Sequence, residues 1–327
     1  MVLGSTLLSA CGDTVALGSD GAETVTVGVA GNIFDVPLRV AQDQGYFSKR
    51  GLKVEFVTVT AATGMPSLQS GSLQFLNSSP TGFLGALSKG TPVVAVGVDG
   101  LGNPLGLVVS KEFAQEKGLT AKSSPDTVAK ALAGSIGGSS SANTKAEAEM
   151  FLKNNHIDPG EVDWVSLASP TADKAALNEG RIDWFVTSEP LPLQIQHAGQ
   201  GVVVANSRTA PEWSSDYAGY GQVVVTRKEF ADEHADTVRK FAGAVRDGTA
   251  YLAKHVNDLS VVPVAKQAMP GVPDAVVQAS IEEVEWPLFV DMDAPTWRKT
   301  RSFVDELGAL PEGAEITTDD WTNEFVR

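Results

Sequence analysis

Two runs of serine mark where this chain could do chemistry. Ser78-Ser79 precedes Pro80 and an apolar segment, and Ser139-Ser140-Ser141 precedes Ala142-Asn143-Thr144 and a longer one. Serine before a helix caps N–H groups that have no helical partner, and proline is tolerated in the first turn because it has no N–H to lose. Such a helix start can hold an oxyanion with N–H groups and hydroxyls, each terminus contributing about 0.3–1 kcal/mol. Thr81 adds a hydroxyl to the first run, and one residue of Ser139, Ser140, Ser141 and Asn143 is expected to cap the helix that follows. Nucleophilic and metal chemistry have less to work with. His156, His197, His234 and His255 form no close zinc-binding cluster, and no Ser/His pair is evident from loop positions. No metal and no cofactor is expected.

Cys11 is the single cysteine. A catalytic thiol, a buried core cysteine and a processing site are the competing readings. Leu8-Ser9-Ala10-Cys11 resembles the bacterial lipobox, in which the cysteine becomes the lipid-modified first residue of the mature protein. The following "GDTVALGSDGAET" is small and polar, as a flexible tether should be. Residues 1–23 therefore read as a truncated lipoprotein signal and tether, because only ten residues precede Cys11.

Length 327 and 43% hydrophobic residues suit two domains. A net charge of −15 argues against nucleic acid, which needs a basic footprint. No stretch approaches the roughly 20 apolar residues that span a bilayer, so membrane attachment would be peripheral, through the anchor.

The elements that must position the serines alternate. Strands at 25–30, 52–59, 73–77 and 93–98 are separated by helical segments, a βαβ pattern that predicts a parallel sheet. Loops 31–35, 61–65, 77–82 and 99–103 then lie at the carboxyl ends of the strands, where ligands of such sheets bind. They contain Asn32, Phe34, Ser78, Ser79, Thr81 and Asn103. "LGLVVS" (105–110) leaves this unit, a second βα series follows, and "GQVVVTRKEF" (221–230) brings the chain back to a helical tail. The expected fold is α/β, two doubly wound lobes joined by a double hinge: 24–105 plus 225–327 as lobe I and 106–224 as lobe II. An internal echo accompanies it. Leu68-x-x-Gly71-x-Leu73-Gln74-Phe75 leads to "NSSP", and Leu177-x-x-Gly180-x-Ile182-Asp183-Trp184 leads to "TSEP". Either two lobes present equivalent helix starts to one cleft, or both use common βα loop chemistry.

Three segments, "AQDQGYFSKRGLKVEF", "LQSGSLQFLNSSPTGFLGALSKGTPVVAV" and "ALNEGRIDWFVTSEP", resemble the substrate-binding proteins of ABC importers in the nitrate/sulfonate/taurine/thiamine-pyrimidine group. The resemblance implies a periplasmic-binding-protein fold over roughly 24–327. It also implies delivery of a small solute to an ABC permease and ATPase from outside the cell membrane; a monomer that is not an enzyme is expected. Fold relatives that are enzymes use a cysteine nucleophile or a cysteine-rich segment with a histidine, which loops 31–35 and 61–65 lack. A sensor role is the remaining alternative.

The cleft expected from these loops suits a small organic anion, most readily a sulfonate. Ser78, Ser79, Thr81, Ser139, Ser140 and Ser141 would meet its oxygens, with Asn32 and Asn103 nearby. Phe34, Trp213, Tyr217, Tyr220 or Trp286 would offer an apolar wall. Tyr217 and Tyr220 are favoured because a glycine-rich loop carries them. Asp35, Asp99 and Glu189 leave room for an amine-bearing or neutral heterocyclic ligand such as a thiamine-type pyrimidine. Glu189 has a plainer reading as a helix-start carboxylate, and Lys145 as a solvated helix face.

Overall fold

A computed structural model of the chain describes residues 16–17, 21–311 and 320–326. Cys11, the expected lipidation site, lies outside the described residues. The first half contains β1 (Ala16–Leu17), β2 (Glu23–Val29), α1 (Val36–Asp43), β3 (Leu52–Thr58), α2 (Gly64–Gln69), β4 (Phe75–Ser78), α3 (Pro80–Leu87) and β5 (Val93–Leu101). The chain then crosses into β6 (Leu105–Ser110), α4 (Lys111–Lys117), α5 (Pro125–Leu132), β7 (Ile136–Ser139), α6 (Ala142–Asn154), β8 (Asp163–Ser166), α7 (Pro170–Asn178), β9 (Trp184–Ser188), α8 (Leu191–His197) and β10 (Gly201–Asn206). It returns through α9 (Ser215–Ala218) and β11 (Tyr220–Arg227), and ends in α10 (Lys228–Glu233), α11 (Ala235–His255), α12 (Val262–Ala265), α13 (Asp274–Glu283) and α14 (Ala294–Glu306).

There are two sheets. One runs β3-β2-β4-β11-β5, with β1 pairing the start of β2, and the other runs β8-β7-β9-β6-β10. Each half therefore has the same order, with its first strand between its second and third. A crossing strand, β11 or β6, is inserted between its third and fourth. The expected parallel pairing is found among β2, β3 and β4 and among β7, β8 and β9, and the crossing strands depart from it. β11 is antiparallel to β4 and β5, and β6 to β9 and β10, because a strand arriving from the other half enters in the opposite direction. Residues 220–224, assigned by sequence to lobe II, pair with β5 and β4 and belong to the first sheet.

Val25, Val27 and Val29 alternate inward on β2, and β5 is buried along nearly its whole length, as strands covered on both faces should be. The long helix α11 closes the outer face of the first sheet. Its Phe241 stacks on Phe75 of β4 with ring centroids 3.9 Å apart and on Phe47 at 5.2 Å. The two crossings run side by side, the Gly102 N–H donating to Gly219 O and the Asn103 N–H to Trp213 O, both at 2.8 Å. No helix among the described residues is long and apolar enough to cross a membrane.

Candidate functional site

The carboxyl ends of both sheets border one cleft of about 160 Å³. A second cavity of about 200 Å³ adjoins it, and Asn32, Ser79 and Gln222 line both. Each is below the roughly 300 Å³ at which drug-sized pockets begin, so the site suits a small solute.

The first-half wall is built by the β4–α3 turn. Ser79 caps α3, its Oγ accepting from the Gly82 N–H at 3.2 Å and its carbonyl from the Phe83 N–H at 3.0 Å. Pro80 has no N–H, so the Thr81 N–H, the Thr81 hydroxyl and the Ser79 hydroxyl proton are donors left to the cleft. Gln222 on β11 is 3% exposed and lines both cavities. Behind them, Asp35 Oδ2 accepts from the N–H groups of Gly31 (2.6 Å) and Asn32 (3.0 Å), and Oδ1 from Asn77 Nδ2 (3.2 Å). Burial pushes the Asp35 carboxyl up, and lifts that of Asp99 well above the usual range, with the Asp35 charge adding to the second shift. Both acids are thus kept toward the neutral form.

The second-half wall comes from α6 and the end of β9. Ser141 is the cap of α6: its Oγ accepts from the Thr144 N–H, and Thr144 Oγ1 accepts from the Ser141 N–H, each at 3.1 Å. Asn143, Thr144, Glu147 and Ser188 face the cleft. Glu147 is 4% exposed, and its Oε1 accepts from Asn103 Nδ2 and Asn143 Nδ2, both at 2.8 Å. Burial raises its pKa to about 7 against the pull of those two amides. Phe34, Tyr220, Phe303 and Val304 supply apolar surface. The Tyr220 hydroxyl is turned away, donating to Asp293 Oδ2 (3.1 Å) and accepting from the Asp293 N–H (2.7 Å).

Of the residues singled out by sequence, Asn32, Phe34, Ser79, Thr81, Asn103 and Tyr220 come together on the cleft, and Ser78 lines the adjoining cavity. Ser139, Ser140, Ser141, Glu189 and Tyr217 do not line either. Ser139 is buried at the end of β7, Ser140 sits against Asp173, and Ser141 is spent on its own helix. Glu189 is 2% exposed and turned to α13, accepting from Ser280 Oγ at 3.3 Å. Tyr217 is 38% exposed and donates to Glu306 Oε2 at 2.6 Å. Trp213 and Trp286 are core residues, stacked on Phe151 and edge-on to Phe34. Lys145 lies on the outer helix face, 2.8 Å from Glu149 and 5.2 Å above Trp164. No lysine or arginine lines the cleft among the described residues. A groove of about 550 Å³ at the amino ends of β2 and β3 has none of these helix starts and is not the candidate site.

Sequence reasoning missed Glu147 and Gln222. Each left a trace: Asn143 and Glu147 are four apart on one helix face, and Gln222 is the polar residue that opens a run of valines in a crossing strand.

Comparison with known proteins agrees with this architecture. The family model described as NMT1/THI5 like matches residues 35–258. The taurine-binding periplasmic protein of Escherichia coli (strain K12) is 29% identical over 229 residues, 69% of this chain and 66% of that protein. The match thus spans just under two thirds of that relative's length. The crystal structure of the periplasmic aliphatic sulphonate binding protein SsuA from Escherichia coli superposes with a TM-score of 0.72 at 15% identity, covering 91% of this chain and 92% of that one. The desulfurization enzyme DSZB superposes with a TM-score of 0.67 at 15% identity, covering 93% of this chain and 97% of that one. The shared fold therefore does not by itself separate binder from enzyme.

Proposed function

Because the chain belongs to the NMT1/THI5-like family, we propose that it is the extracytoplasmic solute-binding component of an ABC importer and takes a small organic anion of the sulfonate type. The observation that carries this reading is the convergence, in one small cleft, of the α3 start, the Ser79 hydroxyl and the Gln222 side chain. Donors held by the fold can take an oxyanion without a cation, as helix starts do. The relatives named for taurine and sulfonates support the solute class. The site reads as binding rather than catalytic because Glu147 is held by amides and Ser79 by its helix cap, with no base beside a nucleophile among the described residues that line the cleft. In this reading the two halves close on the solute by rotation about the paired crossings, and the monomer passes it to a permease and ATPase. Lipid at Cys11 holds the protein at the outer face of the membrane.

A thermal-shift screen over sulfonates, nitrate, bicarbonate, pyrimidines and aromatic acids tests the solute class. A sulfonate at 100 times its dissociation constant should add about 2.7 kcal/mol of stability. Stabilisation by uncharged heterocycles alone would refute the anion reading.

A further inference from the structure

The sulfonate reading accounts for the α3 side of the cleft and leaves a buried carboxylate on the other side unexplained. Glu147 Oε1 takes both amide donors, from Asn103 and Asn143, and Oε2 makes no hydrogen bond among the described residues. Each asparagine gives one N–H to Oε1 and keeps its other N–H and its side-chain oxygen. Asn143 Oδ1 is buried without a partner. With Oε2 open and two amide oxygens beside it, acceptors outnumber the two remaining N–H donors at this end, which suits a group that only donates. An ammonium is such a group, with three donors and a positive charge. A bare anion placed here would meet a carboxylate with no cation on the cleft wall. A metal ion is a poorer fit, since no group of three or more metal-ligating side chains occurs among the described residues.

We infer that Glu147, with the side-chain oxygens of Asn103 and Asn143, forms a subsite for the ammonium group of a zwitterionic solute whose anionic end lies at the start of α3. Glu147 and Ser79 border the same cavity of about 160 Å³, so one short molecule reaches both. The raised pKa of about 7 is the mark of a carboxylate that burial has left without a counter-charge. The inference rests on the proposed function for the anionic end only.

Calorimetry with taurine, ethanesulfonate and β-alanine on the parent and on Glu147→Gln separates the two claims. Gln keeps an oxygen for both asparagine donors. The parent should bind taurine at least tenfold more tightly than ethanesulfonate, and Glu147→Gln should erase that preference. Ethanesulfonate binding should be kept or strengthened in the variant, which also reports an intact fold. If neither sulfonate binds but β-alanine does so in a Glu147-dependent way, the sulfonate reading falls and the ammonium subsite stands. Equal affinity of the parent for taurine and ethanesulfonate, a preference that survives in Glu147→Gln, or no binding by either amine-bearing compound overturns the subsite.

Discussion

The two halves carry the same short motif and use its last residues differently. In both, a glycine with positive φ, Gly71 at 79° and Gly180 at 68°, ends a helix and turns the chain into the third strand. Gln74 and Asp183 then make the same pair of bonds to the first strand of their sheet. The Gln74 N–H donates to Thr26 O (2.9 Å), and its Oε1 accepts from the Thr26 N–H (2.8 Å). The Asp183 N–H donates to Ile136 O and its Oδ2 accepts from the Ile136 N–H, both at 2.8 Å. Phe75 and Trp184 follow, each fully buried. The echo in the sequence is thus a structural repeat at equivalent sheet positions. After it the halves part. "NSSP" leads from the Ser79 cap into α3, whereas "TSEP" places Glu189 between Ser188 and Pro190. That glutamate is buried against α13, and α8 starts at Leu191 with no side-chain cap. The scaffold repeats; the anion site is confined to one copy.

The largest effects should be symmetric. Phe75→Ala and Trp184→Ala each remove a fully buried ring and should cost about 3–5 kcal/mol in chemical denaturation. A large loss in one half with a small one in the other would break the equivalence. Next come the register bonds. Gln74→Ala and Asp183→Ala each strip a strand N–H of its partner and should cost about 1–3 kcal/mol, while Asp183→Asn, which keeps an acceptor oxygen, should cost far less.

Where the halves differ, pH sharpens the contrast. Burial lifts the Glu189 pKa from 4.5 to about 8, so the folded protein keeps a proton that the unfolded chain releases. The stability this contributes is whole below pH 4.5 and is lost as pH rises towards 8. Glu189→Gln should flatten part of the fall in melting temperature across that window. Glu147, raised to about 7, Asp173, raised to about 6, and the raised Asp35 and Asp99 are among the groups that leave the remainder. An unchanged pH profile would mean that Glu189 is ionised in the fold. Ser79→Ala, at the matching place in the first half, should leave the slope alone and cost about 1 kcal/mol as a lost cap.

Much of the scaffold was legible because it is local chemistry. Glycine, proline and serine at the ends of elements place the turns, and valine runs place the strands. The Ser79 cap and the loops holding Asn32, Phe34 and Asn103 followed from the same signals. The direction of β6 and β11 was not legible, since a crossing strand looks like any other until its neighbours are known. Ser139-Ser140-Ser141 misled for a related reason. Serines next to a helix start can cap it, face a buried acid or end a strand, and these do one of each. Glu147 and Gln222 sit inside a helix and a strand, and only the meeting of two sheets turns them into walls of one cleft.

The central claim is that the anion is held by the first copy of the motif. Calorimetric titration of ethanesulfonate into the parent, Ser79→Ala and Ser140→Ala tests it most directly. Loss of a charge-assisted hydroxyl bond should weaken Ser79→Ala by about 1.5–3 kcal/mol, roughly tenfold or more, and Ser140→Ala should bind as the parent does. Undiminished binding by Ser79→Ala, or a loss confined to Ser140→Ala, would contradict the account.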